Sequence, residues 1–234
     1  MTPRRIRRSS LTLAALALAL GLAGCSGSPD PAPSPDASAV LATAKQHFDE
    51  AATIKVDMTT TNRPTSGNAV LNASGSLNHQ PAFEGSVGVV LAGLSADIPV
   101  TSVDGKVYAK LPLTTGFQEI NPDDYGAPDP AKFADPAAGF SSLLTQMSGV
   151  TQGGEVRHGD EVLTTYNGTL TGTQIQPILP SAPAESTINA TVGIDGDGEM
   201  AMLTVVGGFF DADGPVTYTA NFDYEDQPIT ITAP

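Results

Sequence analysis

Few residues in this 234-residue chain combine a chemically useful side chain with a useful spacing. Its one cysteine, Cys25, follows Leu22-Ala23-Gly24 and has no partner for an intramolecular disulfide. Serines are many, but no Gly-x-Ser-x-Gly elbow and no Ser-x-x-Lys pair occurs, so nucleophilic hydrolysis has no local support. His47, His79 and His158 have no metal-ligand spacing and read as surface residues. Asp195-x-Asp197-x-Glu199 and Asp211-x-Asp213-Gly214 share part of a calcium-loop pattern. The first lacks glycine at loop position six and has Val206 where the bidentate glutamate belongs, so hairpin turns are expected. No catalytic residue, metal or cofactor is assigned, and the chain is not expected to be an enzyme.

Cys25 stands in a different context. Ahead of it lie Arg4, Arg5, Arg7 and Arg8, an apolar run from Leu11 to Leu20, and small residues, the three parts of a secretory signal. Leu-Ala-Gly-Cys resembles the bacterial lipobox, whose cysteine sulfur receives a diacylglyceryl group and becomes residue one of the mature chain. Leu11 to Gly24 is 14 residues, short of the about 20 that a spanning helix needs, so a retained membrane anchor fits poorly. Arg7-Arg8 leaves the export route open between the general and twin-arginine pathways. Residues 1–24 are therefore expected to be a lipoprotein signal peptide. The acylated Cys25 would hold the mature chain on the outer face of the cytoplasmic membrane, each buried methylene contributing about 0.8 kcal/mol.

Charge narrows the partners. Four of the 11 basic residues and none of the 25 acidic ones precede Cys25, which leaves 7 against 25 and a net charge of −18. Such a surface repels nucleic acid and anionic headgroups at long range, so nucleic acid is excluded as a partner. Any affinity for lipid has to come from burying apolar chains.

The elements follow in order. Residues 25–38 are the lipidated cysteine and a Pro/Ser-rich leash, and residues 39–234 are the domain. A first helix is expected over about Ala39 to Ala52, capped by Asp36 or Ser38, with Val40, Leu41, Ala44, Phe48 and Ala51 on one face. From Ile54 the period changes to two, and five alternating runs reach Leu111 by way of an Asp104-Gly105 turn. Asp129-Pro130 and Asp135-Pro136 each place a capping acid before a proline, and Phe140, Leu143, Leu144 and Met147 predict a second helix ending near Gly149. Alternation resumes after Gly154 and runs to Ile229 and Ile231, with an irregular stretch from Thr173 to Pro183. The expected fold is α+β: a strongly curled antiparallel sheet of about ten strands on two or three helices. Gly75, Gly85, Gly88 and Gly93, within or beside strands, mark bends or close approaches. With no Trp and 13 other aromatic residues to fill the concave face, that face encloses either a hydrophobic cavity or a core of well-packed aliphatics.

Several segments together carry a family resemblance. The lipobox, the leash, the capped first helix, Val103-Asp-Gly-Lys-Val-Tyr-Ala-Lys-Leu111, Phe117-Gln-Glu-Ile120 onward to Pro130, and the Asp135-Pro136…Leu143-Leu144 helix resemble the mycobacterial LppX/LprG lipoprotein family across nearly the whole mature chain. One departure is Phe117, a position often Trp in that motif. The resemblance implies a half-barrel sheet around helices, a cavity for the acyl chains of lipids or glycolipids, and their carriage across an actinobacterial envelope. It also implies that the strand bearing Val87, Val89 and Leu91 lines the cavity near its mouth, with Ile98, Val100, Phe140 and Leu144 as further wall residues. By pattern alone Val87 is equally a plain core valine.

Two functions of different class follow. One is a non-enzymatic lipid carrier anchored through Cys25. The other is an envelope adaptor for a membrane transporter or cell-wall enzyme, with a vestigial cavity.

Overall fold

The computed structural model describes residues 36–62, 69–91, 94–210 and 214–234, so the signal, Cys25 and most of the leash lie outside the described residues. Helix α1 (Ala37–Glu50) begins where the Asp36 carboxylate accepts from the Ser38 N–H at 2.9 Å. Its buried stripe is Leu41, Ala44 and Phe48, as the helical spacing predicts. The next five strands are β1 (Thr53–Thr61), β2 (Ala69–Asn78), β3 (Ala82–Leu91), β4 (Leu94–Val103) and β5 (Lys106–Ala109). After them come β6 (Gln118–Ile120), two 3-10 turns at Pro122–Tyr125 and Pro130–Ala134, and α2 (Phe140–Gln146). The remainder is β7 (Ser148–His158), β8 (Glu161–Thr171), α3 (Gly172–Ile175), β9 (Thr187–Ile194), β10 (Met200–Gly207) and β11 (Val216–Glu225).

All the strands belong to one curled antiparallel sheet in the order β6-β5-β4-β3-β2-β1-β11-β10-β9-β8-β7. Two meanders thus lie back to back, joined where β1 pairs with β11 from Thr53↔Glu225 to Thr61↔Thr217. Alternation decides which face is inner. Ile54, Val56 and Met58 are buried while Lys55, Asp57 and Thr59 are exposed, and Val216, Tyr218, Ala220 and Phe222 repeat the pattern on β11. The fold is the expected α+β arrangement, with eleven strands rather than about ten.

The difference in count has local causes. Strand β7 begins at Ser148, ahead of the expected restart after Gly154, and nearly all its residues are exposed along a bulged edge. It buries neither face, so it carries no alternation to read. Strand β6 is three residues long and equally exposed. Ile229 and Ile231 form no strand. Their segment is held by side chains instead: Thr53 Oγ1 accepts from the Ile229 N–H at 3.1 Å, and Asn78 Nδ2 donates to the Ile229 carbonyl at 3.3 Å.

The second helix is also shorter than its pattern. Asp135 caps a turn, its carboxylate accepting from the Ala137 N–H at 2.7 Å and its carbonyl from the Gly139 N–H at 2.7 Å. A methyl at Gly139 would collide with the Phe133 carbonyl, so glycine is needed for the close approach that precedes α2. The first prolyl turn is tied down differently. Asp129 accepts from the Ala131 N–H at 3.0 Å and from the buried Ser102 hydroxyl at 2.6 Å, which fixes the Pro130 turn to β4.

The helices cover the inner face through aromatic contacts and a small polar network. Phe48 meets Phe222 edge-on at 5.4 Å between centroids, and Phe140 meets the same ring at 5.1 Å. Lys45 Nζ donates to Asp49 at 2.6 Å and to the Pro136 carbonyl at 2.7 Å, while the fully buried Ser141 hydroxyl donates to the other Asp49 oxygen at 2.6 Å. His79, expected as a surface residue, is half-buried in the β2–β3 turn with Nε2 2.9 Å from the Phe48 carbonyl and Nδ1 3.1 Å from that of Ala134. It joins the end of α1 to the end of the second 3-10 turn. The buried core runs from Leu41 to Ile231 within the compact unit Pro35–Pro234, which therefore carries its own complete core. Among the described residues no helix is long and apolar enough to cross a membrane.

Because Asp49 satisfies both Lys45 and a buried hydroxyl, Asp49→Ala should cost about 1–3 kcal/mol. Thermal denaturation should register this as a fall in Tm of about 2–10 °C.

Candidate functional site

The inner face of the sheet is filled unevenly. Over β9 to β11 the large side chains Ile188, Leu203 and Phe222 belong to the buried core, and Phe222 meets Phe48 of α1 and Phe140 of α2. Over β2 to β5 many of the residues that border open space are small: Ala69 and Ala73 on β2, Val87 and Val89 on β3, Ala109 on β5. What faces them is the prolyl passage rather than a helix. Pro122, Tyr125, Pro128, Pro130 and Phe133 form one part of the opposite wall, and Ile178 to Ser181, just beyond α3, form another. Pro122 and Pro130 each open a single 3-10 turn, so the passage crosses the space as short turns with no long helical face to fill it.

The result is a cavity with about 1010 Å³ of empty space, part of it continuous with solvent. Among the described residues no charged one lines the cavity, and the polar side chains on its wall are those of Tyr125, Ser181 and Tyr218. A second, smaller space of about 280 Å³ lies beyond it, and Met58, Ile178, Leu179 and Tyr218 border both. Tyr218 is held in this partition by its hydroxyl, which donates to the Val70 carbonyl at 3.0 Å. Burial pushes its phenol up to about 12, so it remains a neutral donor. An apolar, partly open space of this kind can take an alkyl chain.

The curl beside the cavity depends on two paired glycines. Gly75 and Gly85 stand opposite each other on β2 and β3, under the ring of Phe83. A methyl at Gly75 would lie 2.7 Å from that ring, and one at Gly85 would lie 2.7 Å from the Gly75 Cα. Gly88 instead gives way to the Asn72 side chain at the β2 bulge, and Gly93 lies outside the described residues.

Of the wall residues anticipated from the sequence, Val87, Val89, Ile98 and Val100 all line the larger cavity. Leu91 lies at the end of β3 opposite Leu94, with its side chain outside the described atoms. Phe140 borders the smaller space, and Leu144, 1% exposed, is packed in the core and borders neither. Helix α2 turns Phe140 and Leu143 toward the β10–β11 half of the sheet, where they border the smaller space with Leu203, Val205 and Ala220. Alternation in β5 marked Val107 and Ala109 as inward, but nothing periodic marks Tyr125, Phe133 or Ile178 to Ser181. A high density of proline was the one available sign in both segments. The Asp195 segment is the hairpin turn expected of it: the Asp195 carboxylate accepts from the N–H groups of Asp197 at 3.0 Å and Glu199 at 2.9 Å. Asp211 and Asp213 lie outside the described residues.

Comparison with known proteins gives a consistent picture. The family model described as LppX_LprAFG lipoprotein matches residues 36–231. The fold is similar to LprF from Mycobacterium bovis, with a TM-score of 0.70 at 17% identity, over 86% of this chain and 98% of that one. It is also similar to the Mycobacterium tuberculosis lipoprotein LppX, with a TM-score of 0.59 at 13% identity, over 83% of this chain and 97% of that one. Among curated proteins no relative matches the chain significantly.

Val87 separates a cavity wall from a filled core. Overpacking a filled core costs about 1–3 kcal/mol, whereas a ring that enters empty space costs little. Val87→Trp should therefore keep Tm within about 3 °C of the parent and sharply reduce uptake of an apolar fluorophore, read by differential scanning calorimetry and fluorescence titration.

Proposed function

The chain belongs to the LppX_LprAFG lipoprotein family, and on that premise we propose that it binds acyl chains of lipids or glycolipids in its cavity and carries them between envelope layers without chemically altering them. The uncharged lining of the cavity is the observation that carries this reading. Each methylene moved from water onto that wall contributes about 0.8 kcal/mol, so a modest length of chain offsets the cost of leaving a bilayer only in part. Partial offset suits a carrier, which has to release what it takes up.

The dimensions add a constraint. The larger cavity is separated from the smaller one by Met58, Ile178, Leu179 and Tyr218. A chain longer than the larger cavity holds requires the partition at Met58 and Leu179 to yield, merging the two spaces. Methionine suits such a position because its unbranched side chain repacks at low cost. The net charge of −18 contributes no attraction to anionic headgroups, which leaves chain burial as the source of affinity.

Cys25 is proposed as the acylated anchor that keeps the domain at the outer face of the cytoplasmic membrane, from which a membrane transporter is a suitable partner in hand-over. Cys25→Ser should abolish incorporation of radiolabelled palmitate. Retained label would remove the anchor. The cavity is tested by mass spectrometry of lipids that co-purify with Pro35–Pro234. Long-chain lipid should be recovered intact, with no fatty acid released on prolonged incubation. A lipid-free protein that takes up no added lipid would favour the adaptor reading, and sustained ester hydrolysis tracking with the protein would favour an enzyme.

A further inference from the structure

The loop between β5 and β6 presents apolar side chains in a way that folding alone does not require. Leu113 is fully exposed, at 106%, and Phe117 is exposed at 39%. Leu113 also has φ +70°, in the left-handed region that a residue with a Cβ disfavours. The loop is nevertheless well held. The Thr114 N–H and hydroxyl both donate to the Leu111 carbonyl, at 3.1 and 2.7 Å, and the hydroxyl also approaches the Gly116 carbonyl at 3.1 Å. A strained leucine kept pointing at solvent by its own loop is a feature without a use inside the isolated domain.

Position and charge supply the use. Both feet of the loop are wall residues: Leu111 before it and Ile120 after it line the cavity, followed by Pro122. No residue from Leu111 to Phe117 is charged, in a chain that is otherwise strongly acidic. Lys110 stands at its start, and Glu119, beyond its end, is paired with Lys106 at 2.8 Å. The loop is thus an uncharged apolar tip at the rim of the cavity, with its nearest acidic group neutralised. It is a protrusion, not a groove, and it offers no array of hydrogen-bonding side chains that would select a protein surface.

We propose that Leu113 and Phe117 insert into the interfacial layer of a lipid bilayer and seat the mouth of the cavity on the membrane, so that acyl chains pass between bilayer and cavity without crossing water. The inference rests on the lipid-carrier reading. Binding through this tip depends on apolar burial at the headgroup boundary, so it needs no anionic lipid and changes little with salt. The acyl anchor supplies durable attachment, and the loop supplies orientation.

The chain contains no Trp, so Phe117→Trp places a single reporter at the tip. In Pro35–Pro234, vesicles of pure phosphatidylcholine should shift its emission to the blue. Adding Leu113→Asp should reverse the shift and weaken vesicle partition roughly tenfold or more, with Tm unchanged because the side chain is exposed. Val162→Asp, which removes an apolar side chain 50% exposed on β8, should leave partition as in the parent. The Leu113→Asp protein should also take up a fluorescent fatty acid from solution normally and extract it from vesicles more slowly. An emission spectrum unmoved by vesicles overturns the proposal, as does equal loss with Val162→Asp or vesicle extraction at the parent rate. A parent protein that takes up no fatty acid from solution defeats the carrier reading instead, and the vesicle shift still decides the loop.

Discussion

The pairing of β1 with β11 is the constraint from which the other features of this domain follow. Because the first and last strands meet at the centre of the sheet, its two free edges belong to β6 and β7, which are consecutive in the chain. The connection between them must therefore pass over the concave face. It consists of the two prolyl turns and α2, and it forms part of the covering that α1 and α3 complete. The same pairing sets the two meanders on opposite sides of a common seam, so one half of the inner face can be packed more fully than the other.

That division is a matter of volume. Phe48, Phe140, Leu143 and Phe222 occupy the half over β10, β11 and β1 and leave there the smaller space of about 280 Å³. On the other half alanine and valine face prolines, and the sum of their volumes falls short of the space that the curl encloses. The curl itself is permitted by the Gly75 and Gly85 pair beneath Phe83, where no larger residue fits. Empty apolar space forgoes dispersion contacts, and the stability it costs is offset by the packed half and by polar pins at its margin. Asp129 with Ser102, His79 with Phe48 and Ala134, and Asp49 with Lys45 and Ser141 all fasten the covering passage or its neighbours to the frame.

The exterior follows a second rule. Acidic residues dominate the surface, yet the loop at the cavity rim carries no charge from Leu111 to Phe117. Exposure of single apolar residues is ordinary; exposure joined to a left-handed leucine and to cavity-wall feet is not. The interior and the loop share one chemistry, the burial of alkyl groups.

By itself the sequence determined the elements whose side chains are buried on one face. Alternation at Ile54 to Met58, Ile188 to Ile194 and Val216 to Tyr224, and the helical stripe Leu41, Ala44, Phe48, are written by the requirement to bury apolar groups, and the structure reproduces them. The same logic placed Val87, Val89, Ile98 and Val100 on the inner face, while the resemblance to known lipoproteins suggested that the inner face holds a cavity. Segments that bury neither face left no such mark. The edge strands β6 and β7 were therefore invisible as strands, and Ile229 to Ile231 read as a strand although side chains of Thr53 and Asn78 hold it. Only the tertiary structure decided that Leu144 belongs to the core, that Tyr218 and Met58 partition the space, and that the prolyl passage forms its far wall. The physical reason is that periodicity records whether a residue faces inward, whereas a cavity depends on which distant segment stands opposite and how much of the intervening volume its side chains fill.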